Sequence, residues 1–314
     1  MLAQTYQPLE LICVENGSED GSAAFVKENY PQVRLIESKT NLGFCGGNNF
    51  GISHAKGDFF VLVNNDAVMD SDCIEQMMRT VRGRPEVGAV ATKILLQDQP
   101  SHLDAAGIAV CMDGLSIGRG RMEEARHYNE EAEVFFVSDC VCLYRREMIE
   151  DIGGYDERFF AYAEETDMGW RARLKGWKTI YNPRAVAYHA HSASLGSYHP
   201  FKIFLVERNR IWVAVKNFPL RFLLLGIGYN IMRYFYHAVG AITRKGAAGI
   251  FSEKTSKRKL IGVLIKANFS ALAGLPQMLA QRKGILASRR ISDEEVHDLF
   301  KRYGLSAKNI AFRV

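Results

Sequence analysis

The first 190 residues alternate between apolar runs too short to be helices and segments with helical spacing. That alternation confines the chain to a layered α/β architecture. Strand candidates are Leu9–Val14, Val33–Glu37, Phe59–Val63, Val87–Ile94, Val134–Tyr144 and Thr179–Tyr188. Between them, Ser22–Asn29 reads as a helix stopped before Pro31, and a second helix follows Gly46-Gly47 and ends at Gly57. A third covers Asp72–Arg82, with Ile74, Met77, Met78 and Val81 at helical spacing. Strands joined by helices of this length predict βαβ units, hence a mostly parallel sheet flanked by helices. Residues 97–132 break the pattern and read as a long functional loop, with a hairpin expected near Gly107 and Gly114.

Two acidic sites stand about a hundred residues apart in this frame. Asn64-Asn65-Asp66 follows the apolar run Phe59–Val63. A carboxylate there lies at the carboxyl end of a strand, where open α/β sheets bind ligands. Gly153–Trp177 is the second site: Tyr155, Phe159, Phe160 and Tyr162 form an aromatic approach to Glu164, Glu165 and Asp167. On a helix starting near Glu164, Asp167 faces Arg171 at i, i+4. Arg171 and Arg173 cannot neutralise all three carboxylates, so at least one is expected to point into the cleft as a general base. An acidic helix N-terminus favoured by the helix dipole is the plainer reading. One carboxylate to hold a metal on a phosphate and one to take a proton suffice to move a group off a diphosphate.

Smaller signals surround these. In Leu11–Ser22 the strand runs into Glu15-Asn16-Gly17-Ser18, a good turn and cap; Glu15 is also placed to accept from the imide N–H of a pyrimidine base. Asn41–Asn49 holds Gly43, Gly46 and Gly47 among Asn41, Asn48 and Asn49, either a loop and cap or a close approach to a nucleotide. His189 and His191 follow Ala185–Tyr188, and one of them is a candidate ligand of the same metal; Mn2+ accepts nitrogen more readily than Mg2+. Cys13, Cys45, Cys73, Cys111, Cys140 and Cys142 form no CxxC pair and read as buried, reduced thiols, with Cys140 and Cys142 on one strand face; this favours the cytosol.

The net charge of +5 hides a change of sign. Residues 1–200 carry 19 Lys and Arg against 29 Asp and Glu, a net −10, and residues 201–314 carry 21 against 6, a net +15. Two regions follow, 1–197 and a helical, basic 198–314. Phe222–Met232 is the longest nearly uncharged run, and Leu260–Leu279 is broken by Lys266 and Pro276. The first is short of the roughly 20 residues of a span, and the second is too broken for a clean one. Such a region is expected to lie on an anionic membrane surface, or else to pack on the first region with a solvated basic face. Ser292 before Glu295 predicts a capped helix near the end.

Taken together, the segments LAQTYQPLELICVENGSEDGS, NLGFCGGNN with GDFFVLVNNDAV, GGYDERFFAYAEETDMGWRARLKGW and AVAYHAHSAS resemble the family 2 glycosyltransferases of GT-A fold, in their rhamnosyltransferase-like branch. The resemblance covers roughly residues 2–195. It implies that Asp66 holds a divalent metal, Mg2+ or Mn2+, with His189 as a further ligand. It implies that Glu165, between Glu164 and Asp167, is the catalytic base. Glu15, Asn16, Asn41, Gly43, Asn48, Asn64 and Asn65 would then surround the nucleotide. The implied activity is inverting transfer of a sugar from a nucleoside diphosphate to a saccharide or lipid-linked saccharide, for cell-surface polysaccharide. dTDP-rhamnose is a candidate donor that no residue selects over other sugars. The implied place is the cytoplasm, peripheral on the inner face of the cell membrane, with no nucleic-acid partner.

There are departures. Asn64 replaces the first Asp of a full DxD, Glu15 and Glu165 are one methylene longer than the usual Asp, and Asp139 stands where Gly is common. The family's first strand and PxYN-like turn are expected about two dozen residues before LAQTY, so the frame is expected either to start upstream or to have a defective donor site. The rival readings are a sugar nucleotidyltransferase and a non-catalytic sugar- or membrane-binding scaffold.

Overall fold

The structure, a computed structural model, describes residues 1–190, 199–243 and 257–312. Its first strands, β1 (Ile12–Asn16) and β2 (Arg34–Ser38), pair in parallel around helix α1 (Ser22–Asn29) and form a sheet of their own. Helix α2 (Gly43–His54) packs on β1. A seven-stranded sheet follows, built from β3 (Phe59–Val63), β4 (Ala67–Met69), β5 (Val87–Leu96), β6 (Leu103–Ala105), β9 (Ala132–Val134), β10 (Val141–Arg145) and β11 (Lys178–His189). Its backbone order is β3-β10-β5-β11-β4, with β6 beside β5 and β9 beside β11. Strands β7 (Ile108–Val110) and β8 (Ser116–Gly118) make the hairpin expected in residues 97–132.

The α/β class holds, but the large sheet is mixed and not mostly parallel. Within it only β5 and β11 run parallel; the other ladders are antiparallel. Strand β10 is the reason: it inserts between β3 and β5 in the opposite direction. The run expected as one strand, Val134–Tyr144, is divided into β9 and β10 by residues 135–140. Period-two alternation then sends side chains to two cores. Leu143 and Val90 face helix α3 (Cys73–Val81) and its Met77, while Cys142, Tyr144, Ala89 and Ala91 face the opposite cluster. Cys140 precedes β10 and packs on the α3 side, so it does not share a face with Cys142. All six cysteines are free, and five are buried.

The opposite cluster is built from helix α4 (Arg146–Ile152), helix α5 (Glu164–Leu174) and the C-terminal helices. These are α6 (Pro200–Asn217), α7 (Leu220–Thr243), α8 (Lys257–Ala287) and α9 (Asp293–Tyr303), while α10 (Ala307–Phe312) packs on α7. Trp170, Phe218, Phe222 and Phe300 stack into one aromatic group, so the apolar core runs across the change of charge sign near residue 200. The Ser292–Glu295 capping box is present. Helix α8 passes through Pro276 without a break, and Leu260–Ala287 is long and apolar enough to cross a membrane by length and composition, which corrects the expectation that this segment is too broken.

Candidate active site

The loop from Phe159 to Ala163 delivers the acidic helix. Phe160, Tyr162 and Ala163 all have φ near +65°, a left-handed backbone that costs a non-glycine residue on the order of 1 kcal/mol or more. Helix α6 offsets that cost. Asn209, fully buried, donates from Nδ2 to the carbonyls of Phe159, Ala161 and Tyr162 at 3.0, 2.9 and 2.7 Å. Arg208 donates to the Phe159 carbonyl at 2.9 Å. Gly43, with φ +71°, lets the start of α2 reach the same loop, where a Cβ would stand 2.5 Å from the Phe160 ring.

The three carboxylates of α5 have different surroundings. Asp167 is 1% exposed; Arg171 and Lys216 donate to its Oδ2 at 2.9 Å each, and Asn217 donates to Oδ1 at 2.8 Å. Burial would raise its pKa, but these cations and the amide hold it down at about 2. A buried, fully paired carboxylate of that kind ties α5 to α6. Arg173 points elsewhere, to the carbonyls of Phe135 and Val134 and to Glu133.

Glu164 and Glu165 turn instead toward Asp139, and the carboxylate oxygens of the three lie within 4.8 Å of one another. Asp139 accepts hydrogen bonds from the hydroxyls of Tyr144 and Tyr155. Desolvation and the neighbouring Glu165 charge push its pKa up to about 7. Desolvation raises Glu164 well above the usual carboxylate range, and its Oε2 has no hydrogen-bond partner among the described residues. Glu165 is raised by burial too, yet it is only half-buried, and Ser116 on β8 donates to its Oε1 at 3.3 Å. Of the three it alone combines a raised pKa with access from outside. Three oxygens this close either share protons or embrace a cation; the burial that raises Asp139 favours the shared proton, against the two phenol donors, which lower it.

Asp66 and His189, paired by the family resemblance, lie beside each other. Oδ2 of Asp66 lies 3.3 Å from Nε2 of His189. Neighbouring ligands of an octahedral ion at about 2.1 Å stand about 3 Å apart, so the pair fits one divalent cation. Asp104, on β6, holds the other ring nitrogen at 2.7 Å and is itself paired with Arg121. Burial would pull the imidazole pKa down, but Asp104 and Asp66 together raise it. Sequence reading missed Asp104, because a lone acid in an irregular loop carries no signal until β6 pairs with β5. His191 lies outside the described residues.

The nucleotide candidates gather where β1 meets α2, and most are already engaged. Glu15 accepts from the backbone N–H groups of Gly17 and Ser18, and the Ser18 contacts lower its pKa. Asn16 bridges the backbone of Leu42 and Gly43, Asn41 accepts from Gly43, and Asn48 donates to Phe44 in its own helix. Asn64 donates its backbone N–H to Cys140, next to Asp139, and Asn65 is exposed. The three groups converge: the Cys140 thiol is raised by burial and by Asp104, Asp66 and Asp139, and that of Cys45 on α2 by burial and by Glu164 and Asp139. A separate cavity of about 580 Å³, lined in part by Asp151, Arg171 and Gln281, includes neither Asp66, Glu165 nor His189.

Residues 1–153 match the family described as glycosyl transferase family 2. The chain is 27% identical over 253 residues to N-acetylglucosaminyl-diphospho-decaprenol L-rhamnosyltransferase of Mycobacterium tuberculosis, covering 71% of this chain and 81% of that one. It is 23% identical over 205 residues to poly-beta-1,6-N-acetyl-D-glucosamine synthase of Staphylococcus aureus, covering 62% of this chain and 46% of that one. Among solved structures it resembles GalNAc-T7 with UDP, GalNAc and Mn2+, at TM-score 0.56 and 12% identity over 94% of this chain and 52% of that one. With the fold, these likenesses show a glycosyltransferase of GT-A fold that is similar to family 2 over its first 153 residues.

Proposed function

We propose that the protein transfers a sugar, with inversion, from a nucleoside diphosphate sugar to a saccharide carried on a lipid diphosphate, at the cytoplasmic face of the membrane. Glu165 carries this reading, as a half-buried carboxylate whose pKa is raised by burial and which lies close to two other carboxylates. Its oxygen accepts the proton of the acceptor hydroxyl. The freed oxygen forms a bond to the anomeric carbon from the side opposite the diphosphate, whose bond to that carbon breaks with both electrons. A single displacement inverts the centre. Ser116 orients the carboxylate, and Asp139 and Glu164 keep protons nearby. Asp66 and His189 would hold a divalent ion, with Asp104 fixing the ring; bound there, the ion would neutralise the leaving diphosphate. The region 1–197 would supply this chemistry and 198–314 its support and membrane contact.

The lipid-linked acceptor is supported by the mycobacterial relative, whose name states such a substrate. The full chain with Mn2+, a panel of donors including dTDP-rhamnose, and N-acetylglucosaminyl-diphospho-prenol as acceptor should release nucleoside diphosphate only when the acceptor is present. Mass spectrometry should find one added sugar. Glu165→Gln should cut turnover about a hundredfold or more while leaving nucleotide affinity nearly unchanged. Acceptor-independent release, or near wild-type turnover in Glu165→Gln, would refute the assignment.

A further inference from the structure

Helices α7 and α8 each turn an apolar stripe away from the protein. Thirteen of the twenty exposed large apolar side chains among the described residues stand on these two helices. On α7 the stripe is Leu220, Leu224, Ile227, Ile231 and Phe235, stepping by three and four residues, and Ile231 is 64% exposed. The opposite face of the same helix is the one bound to the enzyme: Phe222 is fully buried, Tyr229 donates to the Leu305 carbonyl at 2.8 Å, and Arg233 to Asp113 at 2.6 Å. On α8 the outward stripe is Ile261, Ile265, Phe269, Leu272 and Leu279, with Phe269 69% exposed. Its inward face is small: Ala267, Ala271 and Gly274 lie against α6, and Trp212 donates to the Ala271 carbonyl at 3.0 Å.

Charge selects the occupant. The 24 residues of α7 and the 31 of α8 contain no Asp or Glu. Arg221 on α7 and Arg258, Lys266 and Lys283 on α8 are exposed beside the apolar positions. Two copies of such a surface would set like charges against one another, whereas an anionic lipid surface answers both the charge and the apolar stripe.

We propose that the outward stripes of α7 and α8 are the membrane-docking surface, with the helices lying in the headgroup region of an anionic leaflet and not crossing it. This deepens the membrane-face reading above and rests on it. Because α8 packs on α6, and α6 ties to Asp167 in the helix that carries Glu165, docking would also fix the base relative to the lipid surface.

The test is flotation of the full chain with vesicles of phosphatidylglycerol and phosphatidylethanolamine, against phosphatidylcholine alone. The wild type should bind the anionic vesicles, more weakly at high salt. Ile227→Asp with Ile231→Asp, and Phe269→Asp with Leu272→Asp, should each lower partitioning at least tenfold, while Phe25→Asp, an exposed apolar position elsewhere, should not. Ile231→Trp and Phe269→Trp should each shift emission to the blue on anionic vesicles, a readout independent of any folding defect in the aspartate variants. If the wild type binds no vesicle, the membrane-face reading fails. If it binds and neither the aspartates nor the tryptophans respond, that reading survives and this surface is wrong. Bound protein that alkaline carbonate cannot strip would mean a crossing helix. A dimer that the same aspartates dissociate, without vesicle binding, would make a second copy the occupant. Either of these would overturn the proposal.

Discussion

Replacing Asp139 with Asn should change how stability depends on pH. Its carboxyl is pushed up to about 7 in the folded chain, from an ordinary aspartate value of 3.8. A carboxyl whose pKa is raised by folding binds its proton more tightly in the native state. The stability it contributes is therefore full below pH 4 and is lost as pH rises through 7. Three pH units at about 1.4 kcal/mol each give a loss of about 4 kcal/mol, of which about 3 falls between pH 5 and pH 8. Glu164 is displaced in the same direction, by burial first and then by Glu165 and Asp139, so removing the Asp139 charge should also ease its ionisation. Asn keeps the shape and an acceptor for Tyr144 or Tyr155. Urea unfolding of both proteins at pH 5, 6.5 and 8 separates the constant cost of substitution from the titrating part. The wild type should lose about 3 kcal/mol more than Asp139→Asn between the extremes. Parallel curves for the two proteins would refute the shared-proton account and leave a cation among the three carboxylates as the better explanation.

Asp66→Ala should weaken Mn2+-dependent binding of the nucleoside diphosphate at least tenfold by calorimetry; equal affinity with and without Mn2+ in the unmutated protein would remove the ion from the site. Lys216→Met leaves Asp167 and Asp156 short of a cation in a buried place and should cost on the order of 3 kcal/mol in urea, so a loss under about 1 kcal/mol would show that Arg171 alone suffices. Asn209→Ala releases three carbonyls from the left-handed loop before α5 and should lower kcat more than tenfold with little change in nucleotide affinity; an unchanged kcat would mean the loop holds its shape without α6.

The strand-and-helix order was legible because local periodicity and turn residues act within a few positions: Ser22–Asn29 and Phe59–Val63 form where the pattern places them. The positions of Asp66 and His189 near strand ends were legible for a related reason, although only the family resemblance singled out His189 from His191. The antiparallel insertion of β10 was not, because the direction of a short apolar run leaves no mark in its own residues. The separate roles of Glu164, Glu165 and Asp167 were out of reach for the same reason. Within four residues of one helix, the sequence determined that three acids would lie together at its N-terminus. Only the tertiary structure decided that Lys216 neutralises one of them with a hydrogen bond from Asn217, some fifty residues on, and that burial beside Asp139, some twenty-five residues back, raises the pKa of the other two. A carboxylate's chemistry depends on which charges and how much water surround it, and both are supplied by segments distant in the chain.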